Sequence, residues 1–126
     1  MIRSRDARLV NARAWAAGID ADFAEFLADP RHVCLIDDRG GALFAWRGPG
    51  TFEAHVFFKV RGKEALSLGR EMLSHMRDNY GAERFWTEIP VESRKVLMFA
   101  RLIGWKSLGP METRHGWNEI FTSENG

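Results

Sequence analysis

The sequence predicts an α+β fold in which helices pack on a mixed β-sheet. Apolar residues recur every three to four positions in three segments, which is typical of helices that cover a core. Short apolar runs bounded by glycine, proline and aspartate lie between and after these segments, as expected of strands. The predicted order is α-α-β-β-β-α-β-α-β-β. A chain of 126 residues with 45% apolar content fits a single domain over residues 1–126.

The first half of the chain predicts two helices and three strands. Residues 6–29 form the helical part, which Gly18 divides and Asp29-Pro30 ends. Two apolar runs, 32–36 and 42–46, flank an Asp/Gly-rich segment and predict a hairpin. A third strand is expected over 51–60.

The second half predicts a long helix followed by alternating strands and one more helix. Residues 62–80 carry a continuous apolar face and precede Gly81, a natural helix stop. The remaining predictions are a strand over 85–89, a helix over 93–103, strands over 105–108 and 117–122, and a frayed tail over 123–126.

Composition excludes several functional classes. The net charge of +1 gives no electrostatic footprint for a nucleic-acid partner or a membrane surface. No apolar run approaches the ~18 residues of a membrane-spanning helix, and no signal peptide is expected. Cys34 is the only cysteine, so it cannot form an internal disulfide, which favours a reducing compartment and a cytoplasmic location.

The step from the third strand into the long helix is the most informative segment. A helix N-terminus presents unpaired N–H groups and the positive end of the helix dipole, which suit a phosphate. Arg61 and Lys63 add positive charge there, and Gly62 permits close approach of a ligand to the backbone. The alternative interpretation is an ordinary helix start with solvated basic residues.

This segment and a second one resemble the GCN5-related N-acetyltransferases. Residues 60–66, Val-Arg-Gly-Lys-Glu-Ala-Leu, are similar to the acetyl-CoA pyrophosphate loop of that family, written Arg/Gln-x-x-Gly-x-Gly/Ala. Residues 99–105, Phe-Ala-Arg-Leu-Ile-Gly-Trp, are similar to its Phe-Tyr-x-x-x-Gly-Phe motif. The resemblance covers residues 32–122, and the small size together with Glu-x-His on a central strand also resembles short members encoded by bacteriophages.

The resemblance implies an αβα-layered fold with a mostly antiparallel sheet and a central, splayed pair of parallel strands. The cofactor implied is acetyl-CoA as co-substrate. Backbone groups near residues 57–60 would hold its pantetheine arm, and Arg61 with the N–H groups of residues 62–66 would hold its pyrophosphate. The implied cofactor-binding residues are Phe57, Phe58, Val60, Arg61, Gly62, Lys63, Glu64, Ala65, Leu66 and Ser93.

Four positions depart from the family pattern, and one of them is Ser93, which stands where asparagine is frequent. Glu64 stands where the family prefers glycine, and its carboxylate would face a polyanion. Leu66 replaces a small residue. Ala100 stands where many members carry the tyrosine that protonates the leaving thiolate, and the only tyrosine, Tyr80, lies at the end of the preceding helix.

Candidate catalytic residues lie on the two central strands. Glu53, His55 and Phe57 share one face of their strand by the period of two, and imidazoles titrate near neutral pH, which suits a general base. Glu53 would orient His55, act through water, or, as the resemblance implies, be the base itself. Glu88 on the next strand would bind a cationic substrate. For each, the alternative is a polar position on a partly exposed sheet face.

A metal site is not expected, because no His or Cys pair shows metal-ligand spacing. Cys34 lies within an apolar run, where a free cysteine is typically a core residue.

The sequence thus gives two hypotheses of different class. The first is an acetyl-CoA-dependent N-acetyltransferase that acts by direct transfer on an amine of a small molecule or a protein. The second is a catalytically inactive protein of the same fold that binds a partner, as a homo-oligomer or as a phage structural or virion-associated component. A third hypothesis is that the chain is an unrelated α+β module. Such a module would lack a splayed parallel pair between residues 51–60 and 85–89.

Overall fold

The computed structural model describes residues 1–124 and contains one seven-stranded sheet and four helices. Its helices are α1 (Ala7–Ala16), α2 (Ala24–Ala28), α3 (Gly62–Tyr80) and α4 (Arg94–Leu102). Its strands are β1 (Ile2–Arg3), β2 (Val33–Asp37), β3 (Gly40–Trp46), β4 (Thr51–Phe58), β5 (Arg84–Pro90), β6 (Lys106–Thr113) and β7 (Gly116–Glu124).

The sheet has the order β1-β2-β3-β4-β5-β7-β6, and every neighbouring pair is antiparallel except β4 and β5. Side chains of α1 and α2 pack with Cys34, Leu43 and Phe57 on one face. Side chains of α3 pack on the opposite face with Phe44 and Phe52. The predicted αβα layering and the parallel central pair are therefore confirmed.

The structure adds one element and lengthens others relative to the sequence prediction. The two-residue strand β1 pairs with Leu35 and Ile36 at the sheet edge, and no strand was expected there. Strand β6 continues to Thr113 through a register irregularity at residues 107–110. Ser123 and Glu124, expected in a frayed tail, belong to β7 and pair with β5, whereas residues 125–126 of that tail lie outside the described residues.

The parallel pair β4–β5 is short and then separates. Its register joins Thr51 to Arg84, Phe52 to Phe85 and Glu53 to Trp86, and pairing ends there although both strands continue. The hydroxyl of Thr87 donates a hydrogen bond of 2.7 Å to the carbonyl oxygen of Ala54 at the point of separation. We call the opening between residues 54–58 and 87–90 the strand gap.

A charged cluster connects the β2–β3 turn to α3. The Arg39 guanidinium donates to Asp37 at 2.7 Å and to Glu71 on α3 at 2.6 Å, while its backbone carbonyl accepts a 2.8 Å hydrogen bond from the N–H of Lys59. The hydrogen bond from Arg39 lowers the pKa of Asp37 to about 2. This cluster fixes the end of β4 and the first half of α3 relative to the sheet.

Cys34 is buried against α1, as expected of a core cysteine, and burial raises the pKa of its thiol to about 12. Within residues 1–124, none of the helices combines the length and the apolar character needed to cross a membrane.

Candidate functional site

The strand gap leaves backbone groups of β4 without a neighbouring strand. Consecutive residues of a strand direct their N–H and C=O groups to opposite sides in the plane of the sheet. The carbonyl of Ala54 points toward β5, because it accepts the Thr87 hydroxyl, and the N–H of Lys59 points toward β3. By this alternation Val56 and Phe58 direct their N–H and C=O groups into the strand gap, beyond the last β4–β5 pair.

Glu53 and His55 form a hydrogen-bonded pair beside the strand gap. His55 Nε2 lies 2.5 Å from Glu53 Oε2, and the Arg47 guanidinium contacts Glu53 Oε1 at 3.0–3.1 Å. The Glu53 side chain is 15% exposed and that of His55 46% exposed. The carboxylate is thus shielded, while the imidazole faces solvent.

The environment of Glu53 fixes the arrangement of protons in the pair. The hydrogen bond from His55, followed by the charges of His55 and Arg47, lowers the pKa of Glu53, although partial burial acts in the opposite direction. Glu53 is therefore ionised at neutral pH and can only accept hydrogen bonds, so Nε2 of His55 carries the proton. In the neutral imidazole, Nδ1 is then free to accept a proton.

Glu88 lies across the strand gap from His55 and on the same side of the sheet. The register Glu53–Trp86 places Trp86 and Glu88 on the face that carries Glu53 and His55. The Glu88 carboxylate is 29% exposed and lies 4.0 Å from Nδ1 of His115 on the β6–β7 turn. The two strands thus bring His55 and Glu88 to the lining of one opening, and Glu53 lies beside it through its hydrogen bond to His55.

A cavity of about 300 Å³, which we call the core cavity, passes through the strand gap and is lined by residues from both faces of the sheet. Its outer part lies between β4, β5 and the start of α4, where Phe58, Ser93 and Val96 line it. Its inner part lies between β3 and the middle of α3, where Ala42, Phe44, Met72 and Leu73 line it. His55, Glu88 and Ile19, from the α1–α2 connection, also line the cavity.

Two groups of the core cavity carry polar atoms with unused hydrogen-bonding capacity. The hydroxyl of Ser93 makes no capping hydrogen bond to α4. The buried indole N–H of Trp105 has no acceptor within the described residues. An unpaired buried donor costs about 1–3 kcal/mol, so an acceptor on a bound molecule would stabilise this region.

The α3 N-terminus lies at the end of β4 that borders the strand gap. Arg61 is the N-cap residue and makes no side-chain capping hydrogen bond, and Gly62 has φ +60°, a left-handed conformation that favours glycine. The side chains of Lys59, Arg61 and Lys63 are exposed here, together with the opposing carboxylate of Glu64. The helix start is accessible and carries a net positive charge.

The predicted cofactor residues are not all equivalent in the structure. Phe58 and Ser93 line the core cavity, whereas the Phe57 side chain is buried on the α1 face and stacks on Phe23 with ring centroids 6.5 Å apart. Ala65 is buried and Leu66 half-buried. Val60 packs at the edge of the α3 core cluster.

The positions that depart from the family pattern can also be located. Ala100 lines the core cavity, so a tyrosine at this position would reach it. Tyr80 is not among the residues that line the cavity, and its ring lies under Arg3, with the guanidinium carbon 5.2 Å from the ring centroid.

Three residues at the site were missed by sequence reasoning. Thr87 closes the base of the strand gap, Arg47 holds Glu53, and Ile19 lines the cavity from the α1–α2 connection. In the sequence, residues 47–50 indicate a turn. They do not indicate the ion pair between Arg47 and Glu53, because that contact depends on the register of the β3–β4 hairpin. Across residues 1–124, no group of three or more His, Cys, Asp or Glu side chains is arranged to hold a metal ion.

No protein-family model matches the chain, and no curated protein matches its sequence.

Comparison of the structure with solved structures gives acetyltransferases. A chimera of spermidine N-acetyltransferase SpeG from Vibrio cholerae and hSSAT superposes with a TM-score of 0.68 at 11% identity, over 81% of this chain and 72% of the other. The N-acetyltransferase PseH of Campylobacter jejuni, in complex with acetyl coenzyme A, gives 0.63 at 12% identity over 81% and 77%. The microcin C7 self-immunity acetyltransferase MccE, in complex with acetyl-CoA and AMP, gives 0.65 at 13% over 80% and 69%.

At this level of identity the likeness establishes the fold. The chain has the fold of the GCN5-related N-acetyltransferases, as its two short motifs indicated.

Proposed function

We propose that the protein is an acetyl-CoA-dependent N-acetyltransferase that transfers the acetyl group directly to an amine. One observation carries the proposal. The strand gap places unpaired β4 backbone groups between a hydrogen-bonded His55–Glu53 pair and the accessible N-terminus of α3. This arrangement offers a base, an anion site and a slot between them for an extended thioester.

The pyrophosphate would bind at the start of α3. The helix begins at Gly62, so the N–H of Ala65 bonds to the carbonyl of Arg61 and that of Leu66 bonds to Gly62. The N–H groups of residues 62–64 precede this ladder and are free for phosphate oxygens. Arg61 and Lys63 would add charge-assisted hydrogen bonds. Of the predicted segment 62–66, residues 62–64 are therefore the ones whose N–H groups would contact the pyrophosphate.

The pantetheine arm would lie along β4. Its amide groups would pair with the inward-directed backbone of Val56 and Phe58, in the manner of a strand added to a sheet edge. The Ser93 hydroxyl, which is not used to cap α4, would supply a further polar contact from the other wall. Phe57 would contribute through backbone position only, because its side chain belongs to the core.

The chemical step needs a neutral amine, a held carbonyl and a leaving thiolate. Nδ1 of His55 would take a proton from the ammonium, and the amine nitrogen would attack the thioester carbonyl carbon. The N–C bond forms, the C–S bond breaks, and the CoA thiolate takes up a proton from His55 or from water. Glu53 acts as a positioning residue, because its lowered pKa makes it a poor base but a good partner for the imidazolium.

Ala100 bears on the rate of this reaction. Without the tyrosine of many family members, no phenol stands ready to protonate the leaving sulfur. A thiol titrates near ~8.5, so a thiolate leaves readily close to neutral pH even without an acid. The substitution is therefore compatible with turnover that is slower than in members with tyrosine.

Glu88 points to the class of acceptor. Its carboxylate lies at the rim opposite His55, where it would hold a second positive charge of the amine or a cationic neighbour in a protein substrate. The solved structures of this fold include a spermidine N-acetyltransferase chimera and an aminoglycoside acetyltransferase. A small polycationic amine is thus the first acceptor to test, and a cytoplasmic setting would supply both substrates.

A catalytically inactive binding protein is the second candidate. Ala100 and Glu64 favour this candidate. Ala100 lacks the phenol that would protonate the leaving thiolate, and the carboxylate of Glu64 at the start of α3 would repel the pyrophosphate. Exposed Leu108, Met111 and Trp117 on β6 and β7 would then contact a protein partner, such as a second copy or a virion component. This candidate predicts no binding of acetyl-CoA.

The proposal is tested by incubating the protein with acetyl-CoA and measuring the CoA thiol that is released with a disulfide reagent. The protein is incubated with acetyl-CoA and each of a panel of amines, including spermidine, an aminoglycoside and lysine peptides. Because Cys34 is buried and its thiol pKa is raised, the protein itself contributes little signal. Amine-dependent release that is lost in His55→Ala supports the enzyme. The absence of release with every amine, together with no binding of acetyl-CoA, would favour the second candidate.

A further inference from the structure

The core cavity extends beyond the place where an acetyl-CoA arm would lie. An arm in the strand gap touches β4, β5 and the start of α4. The inner part of the cavity continues beneath β4 as far as β3, where Ala42 and Phe44 line it. In the β3–β4 register, Ala42 stands opposite Val56 and Phe44 opposite Ala54. The inner part of the cavity therefore lies next to the end of the strand gap where β4 and β5 come together.

We propose that the inner part of the core cavity holds the hydrocarbon chain of an acyl-CoA donor longer than acetyl. This inference rests on the proposed function and names the class of donor. The residues that line this part on β3 and α3 (Ala42, Phe44, Met72 and Leu73) are all apolar, which leaves little to attract a charged or strongly polar group. A methylene chain is the part of a thioester substrate that such a lining stabilises.

Small side chains create the space. Ala42 and Ala54 occupy adjacent strands on the α3 face, and Ala100 on α4 lines the same cavity. Phe44, Met72 and Leu73 close the inner end. The whole core cavity, with the strand gap included, has a volume of about 300 Å³, which is in the range of small-molecule pockets.

An acyl chain in the inner part of the core cavity is compatible with the proposed chemistry. The Glu53–His55 pair lies on the opposite face of the sheet from α3, whereas the inner cavity lies on the α3 face. An acyl carbonyl in the gap would receive the amine from the His55 side while its chain extends toward α3. The balance of the step is unchanged: the N–C bond forms, the C–S bond breaks, one proton leaves the amine and one joins the thiolate.

The test is the affinity of the protein for a series of CoA thioesters, measured by calorimetry without an acceptor amine. The probes are CoA, acetyl-, butanoyl-, hexanoyl-, octanoyl- and decanoyl-CoA, below their micelle concentrations. We expect affinity to rise with chain length by up to about fourfold per methylene, until the chain fills the cavity, and then to fall. Competing thioesters in the thiol-release assay should show the same order of preference.

Two variants should move the acyl chain length that binds most tightly in opposite directions. Ala42→Val narrows the inner cavity and should shift the preference to shorter chains, whereas Phe44→Leu enlarges it and should shift the preference to longer ones. Loss of folding alone cannot lengthen the preferred chain. Ala14→Val is the matched control, because Ala14 is as fully buried as Ala42 but packs on the opposite face of the sheet. It should retain the wild-type profile.

Three results would overturn the inference. If CoA and acetyl-CoA bind but affinity stays flat or falls beyond acetyl, the cavity holds no chain and the proposed acetyltransferase stands. If chain length matters but neither variant moves the optimum, the chain lies elsewhere. If neither CoA nor any thioester binds, the proposed function fails and the inference fails with it.

Discussion

At the scale of single residues, the Glu53–His55 pair depends on a difference in exposure between two neighbouring positions of one strand. Both side chains lie on the same face of β4, but Arg47 and the sheet shield the carboxylate, while the imidazole remains half exposed. The short hydrogen bond between them is of the charge-assisted kind, which restricts rotation of the ring. The ring is thereby held with one nitrogen bonded and the other available.

Replacing His55 tests the assignment of the base. His55→Ala should lower kcat about 10²- to 10⁴-fold, the usual contribution of a positioned general base, and leave the Kd for acetyl-CoA unchanged. Thiol release gives kcat and calorimetry gives Kd. His75→Ala, on α3 and not among the residues that line the core cavity, is the matched control and should keep normal turnover. Equal rates for wild type and His55→Ala would remove His55 from the mechanism.

Glu53→Gln tests the role of the carboxylate. If Glu53 positions His55 through their hydrogen bond, Glu53→Gln should lower kcat and leave the Kd for acetyl-CoA unchanged. The Glu53 pKa is lowered in the folded state, so its contribution to stability is present above the unfolded pKa and is lost as pH falls through the folded pKa. The difference in unfolding free energy between wild type and variant should therefore shrink toward acidic pH. An unchanged kcat in Glu53→Gln would show that Glu53 does not act on the base.

At the scale of elements, the start of α3 combines favourable and unfavourable charges for an anion. The accessible N–H groups of residues 62–64 and three basic side chains attract phosphate, and Glu64 repels it. Glu64 is exposed, so its repulsion of a phosphate is modest and is screened by salt, whereas a basic side chain in direct contact with a phosphate contributes more.

Removing the unfavourable charge should strengthen binding. Glu64→Gln is expected to tighten acetyl-CoA binding about two- to fivefold at low salt, consistent with the 0–1 kcal/mol of an exposed charge interaction, and less at high salt. Calorimetric titrations at two ionic strengths measure this. Asp78→Asn makes the same change of charge near the far end of α3 and should have little effect. If both variants change Kd equally, the pyrophosphate does not lie at the α3 start.

Packing between the β3–β4 pair and α1 depends on one glycine. A Cβ on Gly41 would lie 2.4 Å from Cζ of Phe57 and 2.8 Å from the backbone oxygen of Leu35. The Phe57 ring therefore occupies the space that a side chain at Gly41 would need, beneath the residues of α1.

Gly41→Ala should reduce the free energy of unfolding by about 1–3 kcal/mol, as overpacking of a core does. Thermal or urea unfolding measures the change. Phe57→Leu in the same chain removes the ring and should recover part of the loss, so the double variant should be more stable than the sum of the single effects predicts. Strict additivity would mean that the Phe57 ring is not the obstacle.

Local chemistry explains which elements were predictable. Helix α3 begins and ends at the predicted residues, because its apolar face is continuous and Gly81 follows directly. Strand β1 was missed because two residues carry no periodicity, and its pairing with β2 is a tertiary contact. Strand β6 was predicted too short, because Gly109-Pro110 indicates a turn, whereas the structure accommodates these residues as an irregularity within the strand.

At the scale of the whole molecule, the candidate site is formed where separate parts of the chain meet. The sequence predicted that Glu53 and His55 share a strand face, because that follows from the period of two. It could not show that Arg47 binds Glu53, that Thr87 closes the strand gap or that a cavity reaches Ala42, because these depend on strand register and helix packing. The resemblance to a family supplied the parallel pair, and the structure shows where that pair separates.

The most direct test of the proposed cofactor site is calorimetric titration of the protein with acetyl-CoA at moderate salt, for wild type and Arg61→Ala. The wild type should bind acetyl-CoA at one site with a micromolar Kd. In Arg61→Ala, binding should be about 5- to 150-fold weaker, as for loss of a charge-assisted contact of about 1–3 kcal/mol. No heat of binding at millimolar acetyl-CoA, or equal affinity of both proteins, would contradict the placement of the cofactor in the strand gap and at the start of α3.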